Sequence, residues 1–194
     1  MLKTMKRFII IHGWDGNSEE PMLKWFKEKI KKKGFNVSVP EMPNSAEPKI
    51  EEWVQKIKEV VQEPNSETNF IGHSVGCQGI LRYLESINPK FKVGRLILIA
   101  PWMYLNEKTI EEEGEEVKEI ARPWMETPID WNKIKEHLEE KPICIFSDND
   151  PYVPLSNENL FKEKIGAEVV IEHNKGHFTV SDGVEKLPII LKYI

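Results

Sequence analysis

Three segments of this chain, RFIIIHG (7–13), GRLILIAP (94–101) and KPICIFSD (141–148), are apolar at consecutive positions. A strand with one wet face alternates apolar and polar residues, whereas a strand covered on both faces need not. Three further short runs read as strands: FNVSVP (35–40), TNFIGHS (68–74) and AEVVIEH (167–173). Helical spacing separates them, with Leu23, Phe26 and Ile30 on one face of 19–33 and Ile50, Val54, Ile57 and Val61 on one face of 47–63. Residues 75–88 follow the third strand directly. A helix over 157–165 is expected to take Ser156 as its N-cap, Leu155 and Leu160 as a hydrophobic staple and Gly166 as its stop. Strand–helix alternation implies a mostly parallel sheet with right-handed crossovers and helices on both faces, an α/β three-layer sandwich. At 194 residues the chain fits a single domain, 1–194. Residues 101–130 break the rhythm. EEEGEEVKE is expected to form an exposed helix, and ARPWMETPID to fold over one end of the sheet as a small lid or insert. Asp130 reads as the N-cap of a helix starting near Trp131.

Several function classes are set aside by composition. The net charge is −5 with both signs interspersed, and the run IKKKG (30–34) suits the C-terminal end of a helix rather than a nucleic-acid footprint. The apolar FIII near the N-terminus falls short of a signal-peptide core of about 7–15 residues. No run approaches the roughly 20 residues that span a membrane. Cys77 and Cys144 lie in apolar surroundings without metal-ligand spacing, which predicts buried free thiols in a cytoplasmic protein. The expectation is therefore no nucleic acid, no membrane, no metal and no cofactor.

Chemistry collects after the strands, where open parallel sheets bind ligands. The segment GHSVG (72–76) ends the third strand and opens a helix, matching the nucleophile elbow G-x-S-x-G. Its serine, Ser74, sits at a helix N-terminus, where free N–H groups favour developing negative charge. An alcohol needs a base, and the base needs an orienting carboxylate. Of five histidines, His173 and His177 follow the last strand. His177 is favoured because its loop can reach back across the sheet edge. His73 is expected to point away from Ser74, His12 to brace the first loop and His137 to face solvent. The acid is Asp148 or Asp150, with Asp150 favoured by its place in DPYVP beyond the strand end. Oxyanion donors are expected from the backbone N–H groups of Val75 and Trp14.

Together, HGW, GHSVG, DPYVP and GHF resemble the α/β-hydrolase superfamily. APW, PIDWNKI, SDNDPYVP and the closing LPII narrow the resemblance to the retinoblastoma-binding-protein-9-like serine hydrolases, including their YdeN-type relatives, over nearly the whole chain. This resemblance implies a compact six-stranded sheet of order 2-1-3-4-5-6 without a large cap or a cofactor. It places the nucleophile, acid and base on Ser74, Asp150 and His177. Animal members take their name from binding a retinoblastoma-type pocket through L-x-C-x-E. No such segment occurs here, and Cys144 lies in ICIFS, so that partner function is not carried over.

Trp14, Trp102, Met103, Tyr152 and Phe178 fall at the expected mouth and suit a small acyl substrate. Trp124 and Trp131 are assigned to packing loops onto the sheet. The leading reading is a serine hydrolase of carboxylic esters, with thioesters or amides open to the same residues. A catalytically silent binding module on the same fold is the rival, and a flavin or nucleotide binder lacks phosphate-cradling residues after the first strand.

Overall fold

A computed structural model describes residues 5–194. Its strands are β1 Arg7–Ile11, β2 Asn36–Ser38, β3 Thr68–His73, β4 Leu96–Ile99, β5 Ile143–Ser147 and β6 Glu168–Glu172. They form one sheet in the order β2-β1-β3-β4-β5-β6, and every neighbouring pair is parallel. The helices are α1 Pro21–Lys32, α2 Ile50–Val61, α3 Val75–Ser86, α4 Glu107–Glu113, α5 Glu115–Glu126, α6 Trp131–His137 and α7 Asn157–Ile165. All residues of β3, β4 and β5 are buried. Successive side chains point to opposite faces, so both faces of the central sheet are covered. The edge strand β6 is only partly covered.

Register sets the location of the site. Ile11 pairs with Gly72, His73 with Ile99, Ile99 with Ile145 and Ser147 with Glu172. The carboxyl ends of the strands therefore lie level. The chain runs outward from β1 to β2 and then returns to β3 on the other side of β1. That reversal leaves a crevice between the loops after β1 and β3.

Local signals behave as their chemistry predicts at several helix ends. Asp130 accepts the N–H groups of Asn132 and Lys133 at 3.1 and 3.3 Å. Gly166 closes α7 in the left-handed region at φ 65°. Ser156 does not cap α7 through its side chain, because its backbone is already helical at φ −59°, ψ −18°. A capping residue needs extended dihedrals to turn its oxygen back over the first turn. The Ser156 hydroxyl instead accepts from the Tyr104 phenol at 2.9 Å.

His137 is buried rather than solvent-facing. A bridge between Val93 and Leu138 draws the end of α6 inward, and the ring hydrogen-bonds the Phe91 carbonyl at 2.8 Å. The 101–130 segment contains two helices, α4 and α5, and Pro123 lies inside the second. Trp124 belongs to the core: its ring packs edge-on to Trp53, and its N–H donates to the Pro48 carbonyl. The buried Arg82 guanidinium donates to the Trp124 and Thr127 carbonyls, fastening the end of α5. No described helix is long and apolar enough to cross a membrane. Cys77 and Cys144 are free and buried, and burial pushes both thiols up.

Candidate active site

The turn at Ser74 is built by its two glycines. A Cβ on Gly72 would stand 2.9 Å from the Cys77 backbone, and one on Gly76 would stand 2.4 Å from the His12 carbonyl oxygen. Both contacts are closer than real Cβ atoms tolerate, so α3 can begin this near β3 only with glycine at 72, and this near the end of β1 only with glycine at 76. Gly76→Ala is expected to cost about 3 kcal/mol, lowering Tm by roughly 6–12 °C. Thermal denaturation followed by circular dichroism checks this, and an unchanged Tm would mean that the elbow has room to spare. Ser74 is held at φ 53°, and Asp15, Ala100, Asn174 and Phe178 also have positive φ on the same sheet edge. Uncommon backbone conformations cluster where side chains must be aimed at a common point.

Ser74 Oγ lies 2.8 Å from His177 Nε2, and His177 Nδ1 lies 2.8 Å from Asp150 Oδ2. The Asp150 side chain is 2 % exposed, and its other oxygen accepts the N–H groups of Tyr152 and Val153 at 2.9 and 3.0 Å. A carboxylate can only accept, so the His177 proton sits on Nδ1 and Nε2 offers its lone pair to the serine. The alternative acid and base pair with each other instead. Asp148 contacts His173 at 2.6 Å and accepts the Asn174 N–H. That N–H, followed by His173, holds Asp148 below the usual carboxylate range, while Asp148 raises His173.

The His177 loop is held by residues that its motif does not reveal. Asp182 Oδ2 accepts the backbone N–H groups of His177 and Thr179 at 2.9 and 3.0 Å. Asn149 accepts the Gly176 N–H at 2.8 Å, and Ser147 accepts the Lys175 N–H at 3.0 Å. The sequence signal for Asp182 is only a Ser-Asp-Gly turn following the histidine.

His73 lies beside the candidate base rather than away from the site. Its ring centroid is 5.2 Å from that of His177, and its Nε2 contacts the His177 carbonyl at 2.8 Å. The carbonyl must accept, so Nε2 carries the proton. Burial, followed by the nearby His177, pushes His73 down to about 4 from its ordinary 6.5. The unfolded chain therefore binds this proton more readily than the folded one. The stability linked to His73 is complete above pH 6.5 and falls as the pH drops towards 4, by up to about 3 kcal/mol. His12 is buried and lowered too, so it acts in the same direction. Urea denaturation at pH 7 and 4.5 checks the effect: His73→Gln is expected to narrow the difference between the two midpoints.

The oxyanion candidates also lie on this edge. Among the described residues, the Val75 and Trp14 N–H groups donate to no protein acceptor. The Trp14 indole donates to the Ala46 carbonyl at 2.8 Å, and Asp15 N–H to Ser45 at 2.7 Å. His12 donates from Nδ1 to the Gly13 carbonyl and accepts the Met42 N–H on Nε2, bracing the loop from beneath. A Cβ on Gly13 would lie 3.3 Å from the Ser74 Cβ, which places this loop directly against the elbow.

A cavity of about 550 Å³ opens over Ser74. Trp14, Trp102, Tyr152 and Phe178 line it, and the Trp102 indole approaches Ser74 Oγ at 3.4 Å. Met103 does not line it. Its N–H is held by the buried Asn157 at 2.9 Å, which anchors the chain after β4 and turns Met103 aside. Further apolar wall comes from Met22, Leu105, Val180 and Val184, and from Ile110 on α4 and Val117 on α5, the apolar positions of the acidic run. Tyr152 joins the wall to the base: its ring packs 5.3 Å from His177, and its hydroxyl donates to Glu113 at 2.9 Å. Among the described residues, no three His, Cys, Asp or Glu side chains gather as metal ligands.

Known proteins share this architecture. YdeN of Bacillus subtilis (strain 168) is 26% identical over 185 residues, covering 95% of this chain and 92% of its own. The crystal structure of the B. subtilis ydeN gene product superposes with a TM-score of 0.86 at 25% identity, covering 97% of this chain and 96% of that one. Serine hydrolase RBBP9 of Rattus norvegicus is 23% identical over 184 residues, covering 94% of this chain and 87% of its own. A carboxylesterase structure from Nitrososphaera gargenis shares the fold, with a TM-score of 0.72 at 14% identity over 97% of this chain and 89% of that one. The family model described as serine hydrolase matches residues 8–194, a span that takes in the elbow, the aspartates after β5 and the histidines after β6, and the chain belongs to that serine hydrolase family.

Proposed function

We propose that the chain cleaves carboxylic esters of small apolar acyl groups through an acyl-enzyme on Ser74. One observation carries the reading: Ser74, His177 and Asp150 form a continuous hydrogen-bonded line beneath an open, largely apolar cavity. Ser74 Oγ attacks the ester carbonyl while His177 Nε2 takes its proton. Asp150 keeps the imidazole in the receiving tautomer and stabilises the imidazolium. The carbonyl oxygen, now negative, is received by the Trp14 and Val75 N–H groups, each worth about 3–4 kcal/mol of barrier. His177 returns the proton to the departing alcohol, and water repeats the sequence to free the acid. Because His73 stays neutral, no second positive charge stands beside the imidazolium. Two free thiols support a reducing compartment such as the cytoplasm.

A fluorophosphonate probe tests the reading. Labelling at Ser74, with steady release of nitrophenol from p-nitrophenyl acetate and butyrate, is the expected outcome. A folded chain that takes no label and turns over neither ester is a binding module that keeps the fold without the chemistry.

A further inference from the structure

The charged groups on the cavity wall are one-sided. Asp15, Glu20 and Glu113 line it and, among the described residues, no lysine or arginine does, although the full chain carries 27 of them. Neighbouring acids are paired: Glu19 with Lys24, Glu112 with Lys108 and Glu115 with Lys118. Glu20 and Glu113, each adjacent to a paired glutamate, have no cationic partner among the described residues.

Both glutamates sit close to the chemistry. Glu113 holds the Tyr152 hydroxyl, and that ring packs on His177. Glu20 lies against Gly16 in the loop after β1, with only the Asn17 N–H on its Oε1 at 3.2 Å. Burial raises its pKa, outweighing the Asn17 N–H, and the nearby Glu41 adds to the rise. Two carboxylates on one cavity wall, with no cationic side chain among the described residues beside them, favour a positive ligand and repel a negative one.

Resting on the esterase reading above, we infer that this site selects acyl esters bearing an ammonium group, with Glu20 and Glu113 as the selecting residues. Anionic acyl donors, such as thioesters of phosphate-bearing carriers or half-esters of dicarboxylic acids, are rejected by the same charges.

Three butyrate esters test this, built on a two-carbon alcohol ending in trimethylammonium, tert-butyl or sulfonate. They share the acyl group and the bond cleaved, and differ mainly in terminal charge. At low ionic strength kcat/KM is expected to fall in that order, with the cation and the anion separated by roughly tenfold or more. The separation should shrink as sodium chloride is raised to about 0.5 M. It should also shrink in Glu20→Gln and Glu113→Gln, where the ratio is read so that a general loss of rate cancels. Wild-type enzyme that cleaves the tert-butyl ester without ranking the three by charge overturns the inference and leaves the esterase reading standing. So does a ranking that survives both substitutions and high salt. Failure to cleave even the tert-butyl ester and p-nitrophenyl butyrate removes the esterase reading, and this inference with it.

Discussion

Ser74→Ala and His177→Ala are each expected to lower kcat for p-nitrophenyl butyrate by about 10⁵–10⁶-fold, and the double variant by no more than the worse single one. In the proposed mechanism the serine hydroxyl and the imidazole, 2.8 Å apart, act as one unit. Without the base, the hydroxyl stays protonated and attacks no better than water. Without the hydroxyl, the base has nothing to activate in place. Residual rate then comes from the cavity and the oxyanion donors alone. Steady-state rates on variants with wild-type circular dichroism settle the matter. A His177→Ala enzyme retaining a tenth of the activity would place the base elsewhere and remove the proposed relay.

The two aspartates after β5 should separate by orders of magnitude. Asp150→Asn is expected to reduce kcat by about 10⁴-fold, and Asp148→Asn by less than about threefold. In Asp150→Asn the amide oxygen is needed by the Tyr152 and Val153 N–H groups, so the amide NH₂ turns towards His177. That forces the imidazole proton onto Nε2, where it points at Ser74 and cannot receive the serine proton. Asp148 spends its oxygens on His173 and the Asn174 N–H at the surface, outside the relay. Equal losses in the two variants would mean that the second pair also serves the reaction, or that neither acid orients the base.

Much of the frame was readable because it depends on near neighbours in the chain. Unbroken apolar runs reveal strands covered on both faces, and the strand order follows once the family resemblance is accepted. The elbow is legible because a positive-φ serine between two close backbone approaches demands glycine on either side. Errors arose where long-range contacts outweigh local character. Ser156 has capping chemistry, but the chain reaches it already helical. His137 lies in a charged segment, yet its end of α6 is drawn inward by Val93. Met103 is turned from the cavity by a buried asparagine far along the chain. Ile110 and Val117 look like stray apolar residues in an acidic run until α4 and α5 fold over the sheet edge.

By itself the sequence determined the layered parallel architecture and the tight glycine-flanked turn at Ser74, since each follows from residue period and backbone freedom, and it pointed to the loops that carry the candidate acid and base. It favoured Asp150 over Asp148 and His177 over His173 from loop position and family resemblance, without the contacts that separate residues of the same chemistry. Tertiary structure decided between them. The β5–β6 register, with Asn149 and Asp182 gripping the 175–179 loop, aims His177 at Ser74 and leaves His173 with Asp148 in solvent. The same folding packs His73, expected to point away from Ser74, against the candidate base His177, where burial keeps it neutral. It also brought two glutamates from segments 93 residues apart in the chain, neither with a cationic partner among the described residues, onto one cavity wall. Charge at a site is a property of what converges there, and convergence is decided by the fold.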